Sequence, residues 1–393
     1  NVAARRGRRT GQEEMRGMAR APINGSTLRW ARETMFVERG ELARAAGTSE
    51  GRIAEFETGD ARPTLRQLEN IANKLDRTLA FFFTDPPDEP DVPETADFRA
   101  GNGEPIPPLL AREMRRAEQH RDTVLELEGR PEKPALVGAI NRRNLAARAN
   151  EMRDLLGLTE DFAPPGGRDN RVLSFWRGLL ERHGFLTFQA TKIELAVFRG
   201  LSIHHDVLPI ILLNGADSNN GKIFTLFHEV AHLANRTNGM CVLSDDVNEE
   251  SIANAFAADF LMPRSQVDRI ASSAGGTALE RAEAMAETLK VSVLAAGVRL
   301  RTLDLISDED LESIRLESDR RWEDSRESRK NCGGGPAPWR IRYRDLGSGY
   351  VGVVARALED ERVDLLDASY LMNARIPMAK QMIDEYHRTE GLE

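Results

Sequence analysis

A chain of 393 residues, 40% apolar and 30% charged, has the profile of a soluble globular protein with material for two or three folded units. A formal charge of −9 argues against a nucleic-acid wrapper along the whole length and leaves room only for a local basic patch. Two cysteines, Cys241 and Cys332, exclude a disulfide framework and fit a reducing compartment, so a cytoplasmic location is expected. No apolar run approaches a membrane span, so no membrane partner is expected.

Residues 1–25 form a basic arm, with Arg5, Arg6, Arg8, Arg9, Arg16 and Arg20. Residues 26–83 read as four short helices: "STLRWARETM", "ERGELARAAG", "TSEGRIAEFETG" and "PTLRQLENIANKL". Gly47 stands between the second and third, where a left-handed glycine is the usual solution to a tight turn, so the block is a helix-turn-helix. Leu28, Leu42, Ile53, Phe56, Leu68 and Ile71 fall at core positions, leaving the third helix free to enter a major groove, with Thr48, Ser49 and Arg52 as DNA-binding candidates. The block resembles the Xre family of repressor-type DNA-binding domains, including Glu57 and Gly59 at the end of the third helix and Pro63-Thr64 opening the fourth. It departs from that family at Glu50, where members often carry a glutamine that reads adenine; a carboxylate accepts from cytosine N4 and repels phosphate. Between Ser26 and Phe83 basic and acidic residues balance at nine each, so DNA affinity depends on the arm or on a dimer.

"TDPPDEPDVPETADFRAGNGEPIPP" marks residues 84–110 as a Pro- and acid-rich linker, extended and semi-rigid. Residues 111–316 form the main domain. "PPLLAREMRRAEQHRDTVLELEG" and "RVLSFWRGLLERHG" have helical periodicity, whereas "FLTFQAT", "ELAVFRGLSIH" and "VLPIILLNG" read as strands of a small sheet. "ALERAEAMAETLKVSVLAAGVRLRTLDLIS" gives two more amphipathic helices. Residues 317–338 read as a charged, Gly-rich, flexible connection, and 339–393 as a C-terminal helical piece whose "DLLDASYLMNARIPMAKQMIDEYH" is a hairpin that packs or dimerises. The fold class is mainly α with a small β-sheet (α+β).

"FTLFHEVAHLANRT" follows the last strand. Positions i and i+4 share a helix face, so His228 and His232 can turn imidazole nitrogens toward one ion about 2.0–2.1 Å away, with Glu229 beside them as an acid/base. Two histidines on a surface helix would need no metal, but the apolar flanks bury this one, and buried histidines need partners. A third ligand is within reach in the helix "NEESIANAFAADFLMP". Glu250 is the first choice, with Glu249, about 100° around the helix, and Asp245 or Asp246 in the preceding loop as alternatives. Asn254, one turn beyond Glu250, can orient a ligand from behind or make a packing hydrogen bond. His204 and His205 are candidates for stabilising an oxyanion or plain sheet-edge residues. Cys241 reads as a small buried side chain and Cys332 as inert.

"GLSIHHDVLPIILLNGADSNNGKIFTLFHEVAHL" followed by "EESIANAFAADFLMP" resembles the ImmA/IrrE family of metallopeptidases, on His228, Glu229, His232, Glu250, Ala253, Asn254, Phe256, Ala257, Ala258, Leu261, Met262 and Pro263. Asp97–Arg99 and "YRDLGSGYVGVVARAL" resemble the long members in which an Xre domain precedes the peptidase. The resemblance implies a zincin-like domain of gluzincin type, with Zn2+ held by His228, His232 and Glu250 and Glu229 as general base. It further implies a protein substrate, an Xre-type repressor whose cleavage changes transcription, with DNA as a second partner; a homodimer is left open. Two other readings stand beside it: an Xre-type transcriptional regulator whose zinc domain senses a ligand, and an antitoxin-like partner of a toxin.

Overall fold

The computed structural model describes residues 20–93, 106–166, 169–235, 249–330 and 335–390. The described residues 20–93 and 106–118 form one compact unit and residues 119–390 another.

In the first unit α1 (Gly25–Thr34), α2 (Arg39–Ala46), α3 (Glu50–Thr58) and α4 (Leu65–Leu75) close around Leu28, Leu42, Ile53, Phe56, Leu68 and Ile71, all fully buried. Local chemistry sets each boundary. The Asn24 side chain caps α1, Gly47 ends α2 at φ 65°, the Ser49 hydroxyl caps α3, and Thr64 with Gln67 forms a reciprocal capping box on α4. This is the expected helix-turn-helix. Inside it lies a charge that periodicity does not reveal. Glu57 is buried, and its carboxylate accepts from Arg32 Nε at 2.5 Å and from Arg39 Nε at 2.8 Å. Arg32 also reaches the Glu33 carboxylate at 3.2 Å, so two guanidinium groups and two carboxylates meet here.

The stretch expected as a linker from residue 84 begins tied down. Arg77 stacks on the Phe81 ring at 4.7 Å and pairs through two nitrogens with Asp91, and Val92 is buried. Because the Arg77 side chain is already held by aromatic faces, it loses little rotamer freedom in pairing with Asp91. The helix α5 (Pro108–Glu128) begins in this unit, where Asp76, the left-handed cap of α4, receives Arg115 and Arg116.

The second unit is built on a three-stranded sheet of order β1-β3-β2, with β1 (Leu186–Ala190) parallel and β2 (Gly200–Ile203) antiparallel to β3 (Ile210–Asn214). Every strand residue is buried, including the polar Thr187, Gln189, Ser202 and Asn214, so both faces of the sheet are covered. The strand expected at "ELAVFRGLSIH" shrinks to its last part. Asn214 Nδ2 donates to the carbonyls of Ile193, Glu194 and Phe198, satisfying locally the groups that a strand would have paired.

The sheet packs on α7 (Asp169–Arg182) and α8 (Asn219–Ala234); α9 (Glu249–Leu261) packs on α8, and α6 (Leu145–Leu155) on α9. Trp176, Phe227 and Phe260 are the central aromatics of this core. The helices α10 (Arg264–Ala274), α11 (Ala278–Leu289), α12 (Val293–Thr302) and α13 (Asp308–Lys330) extend it. The run expected to be a flexible connection from 317 is helical as far as Lys330. Glu317 accepts from both Arg320 and Arg321, the one-turn pairing that supports an exposed helix.

The last helices, α14 (Pro338–Leu346), α15 (Ser348–Glu359), α16 (Leu365–Leu371) and α17 (Ile376–Glu390), belong to this unit. Buried Arg177 ties them to the sheet, donating to Thr187 O and to Arg344 O at 2.6 Å each, while Glu181 accepts from Gly349 N at 3.1 Å. Among the described residues no helix is long and apolar enough to cross a membrane.

Removing Glu57 takes from the buried Arg32 guanidinium its shortest ion pair and leaves it only Glu33 and the Val37 carbonyl, each at 3.2 Å, for which the expected cost is at most about 3–5 kcal/mol. Glu57→Ala should therefore lower the stability of the helix-turn-helix read by urea unfolding, whereas Glu55→Ala, at the exposed pair with Arg52, should change it by less than about 1 kcal/mol; equal effects would show that the buried cluster is not the anchor.

Candidate metal centre

The helix α8 is apolar nearly all round, and from Lys222 to Ala234 only Phe224 is not fully buried. The Ser218 side chain caps its start, and Asn235 at its end exchanges two hydrogen bonds with Ile140, at 2.7 and 3.2 Å. Behind it Phe227 stacks on Phe260 of α9, ring centroids 4.0 Å apart, and Trp176 meets Phe227 edge-on. This packing fixes the rotation of α8 against α9, so that His228 and His232 face Glu250.

The donor atoms converge. His228 Nε2 lies 3.2 Å from Glu250 Oε2, His232 Nε2 lies 3.2 Å from Glu250 Oε1, and the two Nε2 atoms are 3.0 Å apart. Among the described residues this trio is the one cluster of metal-ligating side chains, all its ligand atoms within 4.8 Å of one another. Four donors around a tetrahedral zinc at about 2.0–2.1 Å stand about 3.3 Å from each other, so the spacing fits. The chemistry fits as well. Asn254 Oδ1 lies 3.0 Å from His228 Nδ1 and can only accept there, which places the proton on Nδ1 and leaves Nε2 as a lone pair. That lone pair faces a carboxylate oxygen, an arrangement that calls for a cation between them.

Of the residues weighed for the third ligand, Glu250 is in the cluster, and Glu249 is exposed in the first turn of α9, where a carboxylate favours the helix dipole. Asp245, Asp246 and Cys241 lie outside the described residues, as do Cys332, Asp97–Arg99 and the arm from Arg5 to Arg16. Glu229 is fully buried beside His228. His204 and His205 follow β2 and are half-buried.

Two further residues escape sequence reasoning. Gly200 opens β2 opposite α8: a Cβ there would stand 2.3 Å from Thr225 Cγ2 and 3.1 Å from Glu229 Oε1. A glycine is what lets the strand approach the Glu229 carboxylate; its only sequence signal was a turn residue before an apolar run. Lys222 is buried one turn into α8. Burial lowers its pKa to about 8, with Arg344 pushing the same way against Asp217 and Asp345.

The DNA-binding candidates lie at the start of α3. Ser49 uses its hydroxyl to accept from Arg52 N at 3.3 Å, Arg52 pairs with Glu55 at 2.5 Å, and Thr48 is half-buried in the turn. Two of the three are thus engaged locally.

A histidine pair and a carboxylate on two packed helices beside a small sheet form a donor set of the divalent-metal class. Residues 181–301 match the family model for peptidase M78, the IrrE N-terminal-like domain, and residues 28–82 match a helix-turn-helix model. The chain therefore joins a helix-turn-helix domain to a peptidase-family domain, in that order. A search of curated proteins finds none that matches it.

Two predictions concern the packing of α8. Gly200→Ala should destabilise the second unit by about 1–3 kcal/mol through overpacking, and Thr225→Ser, which deletes the clashing methyl, should recover part of the loss; no recovery in the double variant would mean that the strand does not approach α8 this closely. The folded pKa of Lys222 is below its unfolded value, so its buried charge burdens the fold below about pH 8 and the burden lifts as pH rises toward 10.5. Lys222→Met should stabilise at pH 7 by on the order of 2 kcal/mol, with the gain vanishing near pH 10.5; a gain independent of pH in thermal melts would contradict a titrating Lys222.

Proposed function

We propose that this chain is a zinc-dependent endopeptidase coupled to a DNA-binding module, and that it cuts a repressor-type protein to change transcription. The observation that carries the reading is the convergence of His228, His232 and Glu250 within 4.8 Å, with Glu229 on the same helix turn. Bound zinc would supply an open position for water, lower that water's pKa to about 7, and polarise the scissile carbonyl.

The chain's own residues do the rest. His228 and His232 present Nε2 atoms, the first held in the correct tautomer by Asn254. Glu250 adds the third, anionic donor. Glu229 takes the proton of the attacking water and passes it to the leaving amine, a transfer that an Asp, one methylene shorter, would reach less well. Close packing of β2 at Gly200 leaves the Glu229 side chain little room to swing away. The helix-turn-helix domain ahead of the peptidase domain supports a regulatory protein substrate, brought near by DNA or by its own likeness to the module.

The test uses the full chain with zinc and the purified repressor-type proteins encoded beside it. Cleavage by the wild type is expected, and Glu229→Gln, which keeps the three donors, should retain zinc yet lose about 10²–10⁴-fold in rate. Intact repressors with the zinc-loaded wild type, or full activity in Glu229→Gln, would overturn the reading.

A further inference from the structure

The hydrogen bonds that make the α2–α3 turn recur near the end of the chain. In the first unit Leu42 N donates to Glu38 O, Gly47 N to Arg44 O, Thr48 N to Ala43 O, and Arg52 N and Ile53 N both to Ser49 O. In the second unit, at the same spacing throughout, Ala368 N donates to Asp364 O, Asn373 N to Tyr370 O, Ala374 N to Ser369 O, and Met378 N and Ala379 N both to Arg375 O. The left-handed residue of the turn, Gly47 at φ 65°, has its counterpart in Asn373 at φ 47°.

Burial repeats in step. Leu42, Ala43, Ala46, Ile53 and Phe56 are buried, and so are Ala368, Ser369, Met372, Ala379 and Met382. The preceding corner is repeated too: Phe36 at φ 53° ends α1 as Glu361 at φ 57° ends α15, each followed by a residue whose N–H reaches back five positions. The α15–α16–α17 segment is therefore a second helix-turn-helix.

Its outward face is unlike the first. Where α2 and α3 show Gly40, Arg44 and Glu50, this module shows Leu366, Tyr370 and Ile376, at 49%, 71% and 39% exposure. These positions adjoin one another, since a Cβ on Gly40 would lie 3.5 Å from the Glu50 carboxylate. Residues 360–390 hold seven acids against four Lys and Arg, which opposes a phosphate backbone. Acid and base are separated on this face: Asp364 and Asp367 on α16, Arg375 and Lys380 at the start of α17, with no ion pair to another described residue.

An isologous contact needs both halves of each complementary pair on one surface, and this surface has them around an apolar centre. We propose that the C-terminal helix-turn-helix joins two copies of this chain, α16 of one protomer lying against α17 of its partner. The dimer also carries two α1–α4 modules, which doubles the contacts available to DNA.

The test is sedimentation equilibrium of the full chain from about 1 to 50 μM at physiological salt. A dimer is expected for the wild type. Tyr370→Glu, at a position too exposed to disturb the core, should raise the dissociation constant at least tenfold, and Arg375→Glu with Lys380→Glu should do so independently, both variants keeping the wild-type circular-dichroism spectrum. A monomer at every concentration, or a dimer indifferent to Tyr370→Glu, overturns the proposal. So does a monomer whose affinity for a DNA duplex falls in the Arg375→Glu, Lys380→Glu variant, which would make the module a DNA reader.

Discussion

The stacked contact between Phe227 and Phe260 is the constraint on which the second unit depends. It fixes α8 against α9, and a rotation of one residue, about 100°, would turn His228 and His232 away from Glu250. Trp176, Arg153 and Asn235 all hold this helix pair from outside: Trp176 by its ring edge, Arg153 by donating to Phe260 O at 2.9 Å, Asn235 by pinning the end of α8 to Ile140. A polar trio of two imidazoles and a carboxylate is thus set into an otherwise apolar core, where only matched donors and acceptors or a cation make it tolerable.

The same logic, a buried charge placed by rigid helices, recurs in the first unit with the opposite outcome. Glu57 is satisfied from within by Arg32 and Arg39, and nothing further is required of it. At the α8–α9 site the groups facing one another are two imidazole nitrogens and a carboxylate, with one imidazole already committed to Asn254. At Glu57 every group that faces the carboxylate is a donor, whereas at the α8–α9 site an imidazole nitrogen held as an acceptor faces carboxylate oxygens.

Much of this was legible in the sequence. The helix-turn-helix declared itself because its apolar spacing matches one helical period and its boundaries carry capping residues and a turn glycine, and α8 because its two histidines stand one turn apart between apolar flanks. Geometry within a helix turn was legible too, which is why His228 and His232 could be paired without a structure. The choice between Glu249 and Glu250 was not, because both lie within one turn and only the seating of α9 on α8 separates them. Gly200 was invisible for a related reason: its role is a close approach between elements far apart in the chain. "ELAVFRG" misled because a strand-forming composition was overridden by the Asn214 side chain, which no local pattern encodes. The second helix-turn-helix was hidden by its turn residue, Asn373 in place of glycine, and by a core of Ala and Met. The charged run beyond residue 317 suggested flexibility, yet its one-turn ion pairs extend a helix.

The proposed chemistry requires that the three donors of α8 and α9 hold a metal ion. The most direct measurement is zinc stoichiometry by elemental analysis after gel filtration, for the wild type beside Glu250→Gln and Glu249→Gln. One zinc per chain in the wild type and in Glu249→Gln, lost in Glu250→Gln, is the expected result. A wild type that binds none after loading, or a Glu250→Gln variant that keeps its zinc, would contradict it.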